Sequence, residues 1–148
     1  MNENRGVPAV KELSLDVHAG EIVGVAGIDG NGQSELIQAI TGLRKVKSGS
    51  IKIKGREVVG LSPRKITEMQ VSHVPEDRHR DGLVLEMMLS ENIALQTYYK
   101  EPLSNKGVLN YNQINSYARK LMEEFDVRAA SELVPAGALS GGNQQKAI

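Results

Sequence analysis

Apolar and polar residues alternate along residues 10 to 18, where Leu13, Leu15 and Val17 predict a half-buried strand. The next apolar run, residues 21 to 26, contains two valines and an isoleucine and predicts a buried strand. Shorter runs at 51 to 55 and 71 to 75 predict two further strands, the second ended by Pro75. The first half of the chain is therefore predicted to be rich in β-structure.

Apolar residues recur at helical spacing in the remaining segments. They predict helices from the residues after 32 to about 41, from 63 to 69, from 90 to 98 or 99, from 111 or 112 to about 125, and from 140 onward. Gly42 is suited to ending the first of these, and Ser62 followed by Pro63 to starting the second. One face of the fourth carries Ile114, Tyr117, Ala118, Leu121, Met122 and Phe125. Residues 101 to 110 are predicted to be a loop. The fold class is therefore α/β.

Composition excludes several classes of protein. The 148 residues correspond to one domain or to a piece of a larger protein. Lysine plus arginine equal aspartate plus glutamate at 18 each, so no net charge favours nucleic acid or an anionic membrane. Cysteine is absent, which excludes disulfides and thiolate metal sites. The sequence contains no signal-peptide pattern and no apolar run of about 18 residues. We therefore expect a soluble, cytosolic chain without a nucleic acid partner.

A glycine-rich stretch follows the predicted buried strand and precedes the first predicted helix. It reads G-I-D-G-N-G-Q-S-E-L from Gly27, and Gly27, Gly32 and Ser34 occupy the fixed positions of the phosphate-binding pattern G-x-x-x-x-G-K-[S/T]. Such a loop curls backbone N–H groups round an anion at a helix N-terminus. Gln33 replaces the lysine and offers only neutral donors. The alternative is a glycine-rich turn that merely joins a strand to a helix.

A second motif, L-S-G-G-N-Q-Q-K, begins at Leu139 and opens the last predicted helix. Ser140, Gly141 and Gly142 would present a hydroxyl group and unobstructed backbone N–H groups at the positive end of that helix. The alternative is an ordinary helix cap after a flexible turn.

Taken together, the two motifs resemble those of the ATP-binding cassette (ABC) transporter ATPases. Residues 139 to 146 resemble the signature motif, with Asn143 where most members carry glutamine. Residues 19 to 36, 74 to 78 and 81 to 83 resemble the second cassette of bacterial importer ATPases that carry two cassettes in one polypeptide and serve sugars or nucleosides. The Gln33-Ser34-Glu35 version is more similar to the nucleoside or simple-sugar branch than to the ribose branch.

The resemblance implies a P-loop NTPase-like cassette fragment with a mixed sheet, an antiparallel β portion and a helical subdomain. Residues 1–82 would form a partial RecA-like and antiparallel β core that contains the P-loop, and residues 83–148 the helical subdomain that ends in the signature motif. The fragment would belong to the ATP-binding part of an importer ATPase. It would lie in the cytoplasm, peripheral to the inner face of the cell membrane.

The resemblance also implies a role for each site residue. The phosphates of ATP would be held by Gly27, Asp29, Gly30, Asn31, Gly32, Gln33, Ser34 and Glu35, with the Ser34 hydroxyl on Mg²⁺. The nucleotide of the first cassette, or of a dimer mate, would face Leu139, Ser140, Gly141, Gly142, Asn143 and Gln144. Glu76 stands in the place of the Q-loop glutamine, and residues 77 to 82 would lie near the transmembrane permease subunits. The alternative for this charged loop is a solvated surface loop.

Several departures from the family pattern lower the expected activity. Gln33 replaces lysine and Glu76 replaces glutamine, so ATP should bind less tightly. The chain lacks the apolar strand ending in Asp-Glu (Walker B). It also lacks the switch histidine, because His73 and His79 come too early in the sequence to take that role. No aromatic residue precedes Gly27 to stack on adenine. We therefore expect a truncated, degenerate cassette without catalytic residues, which does not hydrolyse ATP alone and whose open sheet edge favours marginal stability or self-association.

The sequence is also compatible with two other functions. The chain could be a docking or regulatory module with weak or no nucleotide binding, which the Gln33 substitution favours. It could also be an unrelated small P-loop kinase or GTPase, in which case the signature motif would be a coincidence.

Overall fold

A computed structural model describes residues 9–28 and 30–148. The chain divides into two compact units, the first extending to Val71 and the second covering Ser72–Ile148. The first unit contains helix α1 (Gln33–Ile40), strands β1 (Lys52–Ile53) and β2 (Arg56–Glu57), and helix α2 (Pro63–Glu68). The second contains a π-helical turn (Arg78–Gly82), α3 (Leu89–Ala94), β3 (Ser104–Asn105), β4 (Val108–Leu109), α4 (Tyr111–Glu124), a 3₁₀ turn (Ala136–Ala138) and α5 (Gly141–Lys146).

Strands β1 and β2 form an antiparallel hairpin in which Lys52 pairs with Glu57. Lys54 and Gly55 make the turn with φ angles of 50° and 75°, the left-handed conformation that two-residue hairpin turns favour. The carboxylate of Glu57 accepts hydrogen bonds from the Ser50 hydroxyl and from two backbone N–H groups. These bonds lower the pKa of Glu57. The strand predicted at 51 to 55 is therefore confirmed, although it is short.

Both helices of the first unit follow their sequence signals. Helix α1 ends before Gly42, whose φ of 75° is left-handed and whose missing Cβ would lie 2.9 Å from both Ile66 Cδ1 and the Leu61 carbonyl oxygen. Helix α2 begins at Pro63 and buries Ile66. Among the described residues of this unit, Val58 is buried as completely as Ile66, each with 2% of its surface exposed. The two helix predictions are confirmed.

The strands predicted at 10 to 18, 21 to 26 and 71 to 75 are wrong, because none of these segments forms a hydrogen-bonded strand in the described residues. Their apolar side chains are largely exposed, at 51% for Leu13 and 98% for Ile22. A strand exists only when a neighbour accepts its backbone hydrogen bonds, and the described part of the first unit pairs only β1 with β2. The mixed sheet expected around Gly27 is therefore not formed there. The fold class, α/β with antiparallel hairpins and helices, is confirmed.

In the second unit, α3 packs against α4 around Ala94, Leu103 and Ile114. Helix α4 begins after Asn110, whose side-chain oxygen accepts a hydrogen bond from the backbone of Gln113 at 3.2 Å. Its predicted bounds are confirmed, but Phe125, placed by periodicity on the apolar face, is 58% exposed. Among the residues described, no helix is long and apolar enough to cross a membrane.

Two local predictions in this unit are wrong. Helix α3 begins at Leu89 rather than after Ser90, since Glu91 Oε2 accepts a hydrogen bond from the backbone of Met88, and it ends at Ala94. The segment 101 to 110, predicted as a loop, contains the hairpin β3–β4 with its turn at Lys106 and Gly107. The first difference arises from the contact of the Glu91 side chain with the backbone, and the second from backbone pairing across a tight turn; hydrophobic periodicity reports neither.

The buried amide of Asn92 organises the segment that precedes α3. Its Oδ1 accepts a hydrogen bond from the backbone of Val84 at 2.8 Å. Its Nδ2 lies within hydrogen-bond distance of the carbonyl oxygens of Val84, Met87 and Met88. Because this segment lacks regular secondary structure, the single amide satisfies backbone groups that a helix or sheet would otherwise pair.

Candidate functional site

The glycine loop joins a segment without regular secondary structure to helix α1. The backbone N–H of Asn31 donates to the Ile28 carbonyl at 3.2 Å, which closes a turn. Gly32 is the N-cap of α1 with a φ of 102°, and a Cβ at this position would lie 2.6 Å from the Ala9 carbonyl oxygen. Glycine is therefore required at 32, both for the backbone conformation and for the close approach of the neighbouring backbone. Asp29 lies outside the described residues.

The side chain of Gln33 folds back over the loop. Its Nε2 donates to the Ile28 carbonyl at 3.3 Å. A Cβ on Gly27 would lie only 1.7 Å from this nitrogen, so only glycine at 27 leaves space for the amide. The residue that replaces the usual lysine thus contacts both the first glycine of the loop and a carbonyl within it.

The first turn of α1 carries the remaining residues of the predicted phosphate site. Ser34 is exposed, and Glu35 is half-buried. Among residues 9 to 28 and 30 to 148, no group of three or more His, Asp or Glu side chains could hold a metal ion. Mg²⁺ at a nucleotide is commonly held by one or two protein oxygens together with phosphate oxygens and water. The exposed Ser34 hydroxyl fits that limited contribution.

The second motif forms the start of α5. Ser140 is the N-cap, but its hydroxyl accepts a hydrogen bond from Asn143 Nδ2 at 3.1 Å instead of capping the helix. Asn143 Oδ1 in turn accepts the backbone N–H of Arg128 at 2.9 Å. Gly141 and Gly142 are exposed, and Leu139 is half-buried. Asn143 therefore fixes the serine hydroxyl to a neighbouring segment.

Gln144 is placed differently from the other residues of this motif. It is 5% exposed, and its Oε1 accepts from Arg78 Nε at 3.2 Å and contacts His79 Nε2 at 2.9 Å. Its Nε2 donates to the Ala136 carbonyl at 3.3 Å. Gln144 therefore faces the charged turn of its own unit.

The charged turn, residues 77 to 82, begins where Asp77 Oδ1 accepts the backbone N–H groups of His79 and Arg80. Arg80 and Asp81 form an exposed ion pair at 2.7 Å, which lowers the pKa of Asp81 and raises that of Arg80. Glu76 precedes the turn and is exposed. Sequence reasoning did not identify Arg78 or His79 as partners of the second motif. The signal that could have indicated them is their position two and three residues after the proposed Q-loop residue, Glu76.

Residues 10–148 match the ABC transporter family. The chain belongs to the ABC transporter family. Its fold class is accordingly that of a P-loop NTPase. The family predicted from the two motifs is confirmed, whereas assignment to a second cassette stays a prediction.

Several relatives from this ABC transporter family carry names that describe import. The chain is 70% identical over 148 residues to the nucleoside import ATP-binding protein NupA of Lactococcus lactis subsp. cremoris. It is 56% identical over the same length to the guanosine import ATP-binding protein NupO of Bacillus subtilis. Both alignments cover 100% of this chain and 29% of the relative. A ribose import ATP-binding protein of Rhizobium etli, RbsA 3, is 41% identical over 138 residues, which are 93% of this chain and 27% of that protein.

The chain thus spans less than a third of the length of these ABC transporter relatives. Within it, the glycine loop lies in the first compact unit, and the charged turn and the second motif lie in the second.

Proposed function

We propose that this chain is the ATP-binding part of an importer ATPase that powers the uptake of a nucleoside or a simple sugar. The observation that carries the proposal is the junction of the glycine loop with α1, where a left-handed Gly32 opens onto the helix N-terminus. Backbone N–H groups that point along the helix axis and the helix dipole favour phosphate at such a junction. The nucleoside and ribose importers among the relatives support the substrate class.

In this proposal the phosphates of ATP lie along Gly27 to Glu35, and Mg²⁺ binds the Ser34 hydroxyl. The Gln33 amide donates to phosphate without a positive charge, so the affinity is lower than a lysine would provide. Glu76 stands in the place of the Q-loop glutamine in this proposal. No candidate residue is assigned a catalytic role.

The proposed partners follow from the two remaining surfaces. Residues 139 to 143, which we name the signature segment, would face a nucleotide held by the first cassette or by a dimer mate. The charged turn would contact transmembrane permease subunits, which would hold the protein at the inner face of the membrane. We retain as proposals the division at 82/83 and the assignment to a degenerate second cassette.

An Mg-ATP titration followed by NMR tests the proposal. We expect saturable shifts of the backbone amides of Gly30, Gly32 and Ser34, because these groups line the proposed phosphate site. The amide of Gly141 should remain unchanged in the isolated chain, since the signature segment would contact a nucleotide held elsewhere. Absence of shifts in a folded chain would contradict nucleotide binding.

A second function, a docking or regulatory module, is favoured by one contact. The Gln33 amide already donates to a carbonyl of its own loop, so bound phosphate must compete with an internal hydrogen bond. If the titration gives no shifts at up to millimolar Mg-ATP, this second function replaces the first.

A further inference from the structure

Asn31 and Gly32 form the only asparagine–glycine pair of the sequence, and they lie inside the glycine loop. The side-chain amide of an asparagine can react with the backbone nitrogen of the residue that follows it. A glycine in that second position has no Cβ to obstruct the approach and adopts left-handed conformations without strain. Gly32 has a φ of 102°. The steric obstacle to this reaction is therefore lowest at this pair.

The surroundings of Asn31 leave its amide free to react. Asn31 is exposed, and its side chain forms no hydrogen bond with any residue in 9–28 or 30–148. Its backbone N–H donates to the Ile28 carbonyl at 3.2 Å, which holds the chain on the N-terminal side of the reacting atoms. The backbone nitrogen of Gly32 donates to no carbonyl in the described part of the chain. Gly32 is buried, but the reaction is intramolecular and its leaving group departs from the exposed side chain.

The negative charge that develops in this reaction lies at the positive end of helix α1. The nitrogen of Gly32 must lose its proton before it attacks, and the amide oxygen of Asn31 becomes an oxyanion as the new bond forms. Gly32 is the N-cap of α1, and its carbonyl accepts the N–H of Leu36 at 2.8 Å. The dipole of this eight-residue helix stabilises negative charge beside its first turn. The exposed amide, the unbonded nitrogen and the helix dipole thus favour the same reaction.

We propose that Asn31 is a site of spontaneous deamidation, which converts the glycine loop into a form that disfavours phosphate. A bond forms between Gly32 N and Asn31 Cγ while the Cγ–Nδ2 bond breaks, so a cyclic imide remains and ammonia leaves. Water then opens the imide at either of its carbonyl carbons. One product is aspartate, and the other is isoaspartate, in which the chain continues through the side-chain carbonyl. Both products carry a new carboxylate, and isoaspartate also lengthens the backbone of the loop by one methylene group.

The new carboxylate would lie in the proposed phosphate site, so its effect on nucleotide rests on the proposed function. A unit negative charge about 4 Å from a phosphate oxygen lowers the affinity by a factor of about five even in water. The longer isoaspartyl backbone also displaces the N–H groups of the loop. Modified chains should therefore bind Mg-ATP at least about fivefold more weakly than fresh chains.

The first test follows the modification itself by mass spectrometry. The chain is kept near pH 8 and about 37 °C, and samples taken over several days are digested with trypsin, which releases residues 12–44 with Asn31 as their only asparagine. Deamidation makes this peptide heavier by about one mass unit and gives two separable products. Asn105 and Asn112 are also exposed but precede larger residues, so they should convert at least tenfold more slowly. A smaller difference would overturn the proposal.

The second test separates the contribution of the folded loop from that of the sequence. The same rate is measured for the chain unfolded in guanidinium chloride at the same pH. The folded chain should deamidate at Asn31 at most about fivefold more slowly, because the loop leaves the reacting atoms accessible. A larger decrease would mean that the fold holds the Gly32 nitrogen away from the Asn31 amide, which contradicts the proposal. Neither measurement needs a variant that could fail to fold.

The third test compares fresh and aged samples by calorimetry with Mg-ATP. The fraction of chains that bind with the fresh affinity should fall by the fraction that is modified at Asn31. Asn31→Asp, which reproduces one product, should bind at least about fivefold more weakly than the fresh chain. Asn31→Gln can form only a slower six-membered imide, so ageing should leave its affinity unchanged from its own starting value. An aged, modified chain that binds as tightly as the fresh one would overturn the effect on phosphate.

The modification and the proposed function can fail separately. Mass spectrometry uses no nucleotide, so a fresh chain that does not bind Mg-ATP would contradict the proposed function and leave the deamidation of Asn31 intact. If Asn31 does not deamidate, this inference is overturned, whereas the binding of Mg-ATP by the fresh chain is unaffected.

Discussion

Replacing Gln33 by lysine should raise the affinity for Mg-ATP about tenfold. The present Gln33 bond to the Ile28 carbonyl is long, at 3.3 Å, and exposed, so its loss should cost at most about 0.5 kcal/mol. The Gln33 amide and a lysine ammonium group can both donate a hydrogen bond to an anionic phosphate, but only the ammonium adds a Coulombic attraction, of about 1.4 kcal/mol at about 3 Å in water. The difference of about 1.4 kcal/mol corresponds to a factor of about ten in the dissociation constant.

The loop has space for the longer side chain. The Gln33 amide lies against Gly27 and occupies the space that a Cβ would fill at that position. A lysine side chain at position 33 can occupy the same space and place its ammonium group where the amide nitrogen now lies. Isothermal titration calorimetry with Mg-ATP on the folded variant measures the change directly.

The matched control is Gln96→Lys, which adds the same charge at an exposed position of the second unit. It separates a local effect from a general increase in positive charge. The advantage of Gln33→Lys should also shrink as salt rises from about 0.05 to 0.5 M, because screening weakens exposed charge interactions. If both variants bind Mg-ATP equally well, the loop does not hold phosphate in the proposed manner.

Three further predictions concern stability and local structure. Asn92→Ala should lower the free energy of unfolding, measured by urea titration, by about 2–4 kcal/mol, because buried backbone groups lose their hydrogen-bond partner. The control Asn112→Ala, at an exposed position, should change this free energy by less than about 0.5 kcal/mol. Hydrogen bonds from Lys146 and Arg128 lower the pKa of Asp126 in the folded chain. The ionised Asp126 carboxylate therefore stabilises the folded state fully above about pH 4, and this contribution is lost as the pH falls through the lowered folded-state pKa. The stability difference between the unmodified chain and Asp126→Asn should therefore shrink on acidification below about pH 4, and a constant difference would contradict this. Gly27→Ala should shift the side-chain NH₂ signals of Gln33 in NMR spectra, whereas Gly24→Ala, with open space around it, should leave them unchanged.

The helices were the most predictable part of the fold. Pro63, Gly42 and Asn110 each act within one turn of the helix end that they define, so their effect can be read from neighbouring residues. Helix α3 is the exception, since Ser90 was expected to cap it, whereas the helix begins two residues earlier, at Leu89, with the Glu91 carboxylate bonded to the backbone of Met88.

The candidate site was predictable where its chemistry is local. The glycine loop was recognised from residue types and spacing, and Gly32 has the left-handed conformation that such a loop needs. The neighbours of the second motif were not predictable. The partners of Asn143 and Gln144 lie 15, 65 and 66 residues away along the chain.

The sequence alone determined the family, the two motifs and most helix bounds, because these depend on residue identity and on hydrogen bonds that span about four residues. Only the tertiary structure decided which apolar segments became strands and where Gln144 points. A strand needs a partner for its backbone, and a buried amide needs donors and acceptors from distant residues. Hydrophobic patterning predicts neither of these, which is why residues 21 to 26 read as a buried strand but are exposed.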